Sequence, residues 1–99
     1  MSTLRIDLET YSSIDLKKAG LHRYVASPDF EVLLFGFAFD DEPAAVVDLA
    51  QGEQLPERVI NAMLDPRILK TAYNAAFELA CLGKHFPFPL AIEQWRCTS

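Results

Sequence analysis

Three patterns predict an α/β domain built on a mixed sheet. The segment "LRIDLETYSS" alternates apolar and polar residues with the period of a strand. The segment "FEVLLFGFAFDD" carries an unbroken apolar run from Val32 to Phe39, as expected of a strand covered on both faces. Two amphipathic stretches, "LPERVINAML" and "AAFELACLGKHF", lie on either side of a short strand-like run. The resulting order is β, β, β, α, β, α, β. An antiparallel hairpin followed by βαβ crossovers then gives five strands in one mixed sheet, with helices packed on it. With 99 residues, 51% of them hydrophobic, the chain forms a single domain spanning 1–99.

The first strand covers Thr3 to Glu9, with Leu4, Ile6 and Leu8 on one face and Arg5, Asp7 and Glu9 on the other. A polar connector, "TYSSIDLKKAGLHRYVASPD", follows, with a short helix around Asp15 to Ala19 and a break at Gly20. The second strand sorts Leu33, Phe35, Phe37 and Phe39 from Val32, Leu34, Gly36 and Ala38, and sits next to the middle of the sheet. "DDEP" turns the chain into "AAVVDLA", the hairpin partner of the second strand. Pro56 belongs to the first turn of the next helix, which faces inward through Leu55, Val59, Ile60 and Met63 and stops at Asp65 and Pro66. "RILKTAY" is the fourth strand. Asn74 is a fitting N-cap for the second long helix, whose inward face is read as Ala75, Leu79, Leu82 and Phe86. Pro87 and Pro89 end that helix, and "IEQWRCTS" is a short fifth strand.

The formal net charge of −5 is unevenly spread. Residues 1–25 hold four bases against three acids, residues 26–57 hold eight acids and no base, and the remainder holds five bases against three acids. A polyanion would be tolerated at the two ends and repelled by the middle, and the stripe of bases typical of a stand-alone nucleic-acid binder is lacking. Cys81 and Cys97 lack metal-ligand spacing and read as reduced core cysteines. With neither a signal peptide nor an apolar run of about 18 residues, the expectation is a cytoplasmic protein with no membrane partner.

Acids are depleted in strands, so Asp7 and Glu9 on one strand face need either an exposed edge or a task. Two residues apart, they lie roughly 7 Å from each other along the backbone and point the same way. Such a pair can bracket divalent cations, and it also suits a wet polar face. Asn74 and Glu78, four apart, share one helix face, where a capping Asn and a first-turn acid also serve the helix itself. Together the two segments converge on one point if the strands that carry them run parallel.

At these residues the chain resembles a family. "IDLET" is similar to the first motif, and "NAAFE" to the second motif, of the proofreading 3′-5′ exonucleases with the ribonuclease H-like fold, the DnaQ-like group. Through "IDLETYSSIDLKKAG", "FEVLLFGFAFDD" and "YNAAFE" nearly the whole chain also resembles the N-terminus of bacteriophage-type family A DNA polymerases. The resemblance implies a two-metal hydrolysis of DNA phosphodiesters at 3′ ends. Asp7, Glu9 and Glu78 would be the catalytic acids and the ligands of two Mg²⁺ or Mn²⁺ ions, with Glu9 orienting the attacking water. Thr10 would contact the terminal nucleotide of a single-stranded DNA 3′ end, Asn74 would hydrogen-bond the substrate, and Phe77 would pack beside the site. The family more often has Asp where this chain has the longer Glu78.

A third family motif, a Tyr or His shortly before an Asp, belongs to a later helix, and no Asp follows Asp65 here. The expectation is therefore the N-terminal part of an exonuclease domain, without its C-terminal helices, weak or inactive alone and completed by the remainder of a polymerase chain. Part of one sheet face would then be apolar, exposed and prone to self-association. Two rivals predict different behaviour. A non-catalytic interaction module of the same fold would tolerate loss of Asp7, and a related RNA-directed exonuclease would require the 2′-OH.

Overall fold

The computed structural model describes residues 3–85 and 95–97. Five strands, β1 (Thr3–Tyr11), β2 (Glu31–Phe39), β3 (Ala45–Asp48), β4 (Leu69–Ala72) and β5 (Trp95–Cys97), form one sheet in the order β3-β2-β1-β4-β5. β1 is antiparallel to β2 and parallel to β4, β2 is antiparallel to β3, and β4 is parallel to β5. This is the expected mixed α/β sheet, compatible with a ribonuclease H-like arrangement.

β1 is central and separates its faces as its alternation predicts. Leu4, Ile6 and Leu8 are buried, whereas Arg5, Asp7 and Glu9 are exposed. Phe35 and Phe39, opposite Leu8 and Leu4, extend the buried face across β2. The strand runs two residues beyond the expected Glu9. The register shifts between Glu9 and Thr10, so Leu33 has no opposite residue and pairing resumes at Thr10 with Val32.

Four α-helices, α1 (Leu16–Ala19), α2 (Leu21–Ala26), α3 (Glu57–Leu64) and α4 (Ala75–His85), and a short 3-10 helix, Leu49–Gln51, complete the described fold. Asp15 caps α1 by accepting from the amides of Lys17 and Lys18. Gly20, at φ 91°, ends α1 and begins α2, a backbone conformation that side chains resist. The polar connector thus hides a second helix. Leu21, Tyr24 and Val25 pack inward at i, i+3 and i+4, and this is the signal that its polar composition masks.

α3 buries Val59, Ala62 and Met63, as its pattern requires. Lys70 of β4 is fully buried, and its Nζ donates to the carbonyl of Asp65 at the end of α3. Burial holds this ammonium below its ordinary pKa, with the Asp65 charge opposing the shift.

Three expectations are corrected. α4 buries Ala75, Glu78, Cys81 and Leu82 while Leu79 is only half-buried, so the inward stripe is rotated toward its acid. Cys97 is exposed because it sits on an edge strand, where its Sγ accepts from the amide of Ala75 at 3.2 Å. The apolar run of β2 is buried at Val32, Phe35, Ala38 and Phe39 but only half-buried at Leu33, Leu34, Gly36 and Phe37, and the sheet face that bears Asp7 is open. Phe86, Pro87, Pro89 and the residues flanking β5 lie outside the described residues.

On that open face Asp7, Gly36 and Val46 form one rank across β1, β2 and β3. Together with Arg5, Ala38 and Tyr73 they line a depression of about 580 Å³. Val46 is 62% exposed and Tyr73 74%. Both ends of β1 carry mixed charge, with Arg58 paired to Glu42 near its start and Asp15, Asp29 and Glu31 near its end. The acidic turn Asp40–Glu42 is tied to the start of the strand, where Asp40 Oδ1 accepts from the Thr3 amide. α1 and α2, which follow its end, contain Lys17, Lys18 and Arg23 and no acid.

Candidate active site

Parallel pairing of β1 with β4 directs the acids of β1 and the start of α4 to the same end of the sheet. Asn74 opens α4 as the sequence predicts. Its Oδ1 accepts from the Phe77 amide at 3.3 Å and its carbonyl from the Glu78 amide at 3.1 Å. That cap fixes the first turn of α4 and with it the direction of Glu78.

Glu78 is 5% exposed, although charged residues are seldom buried without a partner. Burial first, and the nearby charge of Asp7 second, push its carboxyl up to about 7, against hydrogen bonding from the backbone at Asn74, Glu78 and Leu8. The charge of Glu78 is felt in turn by the Cys81 thiol, which burial raises to about 12. Among the described residues no ion pair involves Asp7, Glu9 or Glu78. The site therefore gathers negative charge beside a carboxyl that resists ionising.

Gly36 gives Asp7 its room. A Cβ at position 36 would lie 3.2 Å from the Asp7 carbonyl oxygen and 3.8 Å from its Cβ. No sequence pattern singles out this glycine, since only the register between β1 and β2 places it opposite the acid.

The second group surrounds Thr10. Its Oγ1 lies 2.9 Å from the hydroxyl of Tyr24, whose ring is 6.2 Å from that of Phe77 and 5.9 Å from that of Phe30. The structure thus brings Glu78 within the influence of the Asp7 charge, and links Thr10 with Phe77 through Tyr24. Glu9 shares the exposed face of Asp7 but does not complete a metal-holding set. Among the described residues no group of three or more His, Cys, Asp or Glu side chains is placed to hold a metal ion. The Asp7–Glu78 pair, short of cationic partners, suits a divalent cation in its chemistry, whereas the full three-acid ligand set is not assembled here.

Over all 99 residues the chain is 54% identical to a DNA polymerase of Bacillus phage SP02, of whose length it spans 15%. No family model and no solved structure matches the chain. No described helix is long and apolar enough to cross a membrane.

Proposed function

We propose that this chain is the leading part of a 3′-5′ exonuclease domain of a DNA polymerase, acting on the 3′ ends of single-stranded DNA. The observation that carries the reading is the buried Glu78 carboxyl, which the β4–α4 connection sets at the end of the sheet that bears Asp7 and within reach of its charge, with no described ion pair to balance it. The likeness to a phage DNA polymerase and a strand order compatible with the ribonuclease H-like fold support it.

Asp7 and Glu78 would hold the first of two divalent cations, Mg²⁺ or Mn²⁺, and Glu9 would join them from the same strand face. Bound cations would neutralise the scissile phosphate and lower the pKa of water. The chain's own residues orient the strand. Thr10 presents a hydroxyl to the terminal nucleotide, Phe77 packs against it, and Asn74, whose Oδ1 is engaged in the cap, offers its amide group to the substrate.

The test is release of nucleotides from 3′-labelled single-stranded DNA in Mn²⁺, beside Asp7→Ala. Release that the substitution abolishes supports the reading, and release that survives it refutes the assignment of Asp7. Silence of both this chain and one extended beyond Ser99 refutes the exonuclease reading. A ribose strand cleaved in preference to a deoxyribose strand would shift the reading to RNA.

The absence of a three-ligand group among the described residues favours a second reading, an interaction module docking a partner on the open sheet face. Partner binding that is indifferent to Asp7→Ala and lost on Val46→Lys would identify it.

A further inference from the structure

Tyr24 is held by the two residues to which the proposed function gives the terminal nucleotide. Its hydroxyl is 2.9 Å from Thr10 Oγ1 and its ring is tilted at 42° against Phe77. On the other side Phe30 meets it edge-on at 74°, which braces the ring from the loop after α2. One half-buried side chain therefore joins β1, α2 and α4 where β1 ends.

The hydroxyl pair has a direction. Each hydroxyl owns one proton, so whichever donates in the pair leaves the other's proton for an outside acceptor. A phenol is the more acidic partner and the better donor, and an alkyl hydroxyl is the better acceptor. With Tyr24 donating, the Thr10 rotor is fixed and its proton remains for a sugar or phosphate oxygen, a chain in which each hydrogen bond polarises the next.

We propose that Tyr24 is a positioning residue of the 3′-terminal nucleotide subsite, orienting the Thr10 hydroxyl by donating to it and setting the angle of the Phe77 ring. The proposal rests on the exonuclease reading. It adds a residue from α2, and it makes recognition of the strand end depend on a helix that contributes no acid to the site.

The experiment is the affinity of this chain for a 5′-fluorescein single-stranded oligonucleotide in Ca²⁺, read by anisotropy, with a circular single strand as competitor. Tyr24→Phe keeps the ring contacts and should raise the Kd for the linear strand about three- to tenfold, the worth of one neutral hydrogen bond. Thr10→Val should do the same, and the double variant should lose no more than the worse single variant, because both act through one contact. Affinity for the circle should not change. Wild-type binding with Tyr24→Phe within twofold of it, or single effects that multiply, overturns the role of Tyr24 alone. An equal loss on linear and circular strands marks a folding role and also overturns it. If neither this chain nor one extended beyond Ser99 binds the linear strand, the exonuclease reading falls, and the proposal with it.

Discussion

Glu78 makes stability depend on pH in a direction opposite to that of an ion-paired carboxylate. Its folded pKa, about 7, lies above the ordinary 4.5, so the native chain holds a proton that the unfolded chain has released. The stabilisation is complete below about pH 4.5 and is lost as pH rises through 7. Urea denaturation should show this contribution falling by about 1–3 kcal/mol between pH 5 and pH 8. Glu78→Gln should flatten that slope and exceed wild type at pH 8. The cation proposed for Asp7 and Glu78 would require the ionised carboxyl, so Mg²⁺ or Mn²⁺ should raise the melting temperature more at pH 8 than at pH 5.5. Asp7→Ala should remove that increment. Gly36→Val would press on the Asp7 backbone, and should cost about 1–3 kcal/mol and abolish the cation effect. Asp7, Glu9, Asn74 and Glu78 were all legible as candidates because their types and spacing are local. The burial of Glu78 and the partnership of Gly36 with Asp7 were not, since both arise only when separate segments pack together.

At the scale of elements, the strands were legible because alternation and apolar runs report directly on the faces they cover. α2 was not, since His22 and Arg23 interrupt a six-residue helix that has one buried side chain. The helix is fixed largely by its start. Gly20 serves two helices at φ 91°, where a β-branched residue is strained. Gly20→Val should therefore destabilise the chain by about 1–2 kcal/mol in urea titrations. Because α2 carries Tyr24, that variant should also loosen Thr10, which a weaker protection of the Tyr11 amide against hydrogen exchange would reveal. The stripe of α4 was misjudged for a related reason. A helix that packs on both a sheet and another helix buries a wider arc than one apolar row, and here the arc extends to Glu78.

Across the whole molecule, one sheet face is packed and the other carries the depression bordered by Val46 and Tyr73. An open face with exposed Val46 on the edge strand β3 invites a second copy or further chain to cover it. Sedimentation should show association that rises with concentration, and Val46→Lys should suppress it without lowering the melting temperature, because the side chain is already in water.

The bases that follow the end of β1 have a consequence for approach. Lys17, Lys18 and Arg23 are matched there by Asp15, Asp29 and Glu31, so their pull on an incoming polyanion is local and short-ranged in a chain of net charge −5. On the proposed function, a DNA strand would meet Lys17, Lys18 and Arg23 only close to the end of β1 that bears Thr10. Added salt would then slow capture of the strand while leaving the chemistry that follows at its own pace.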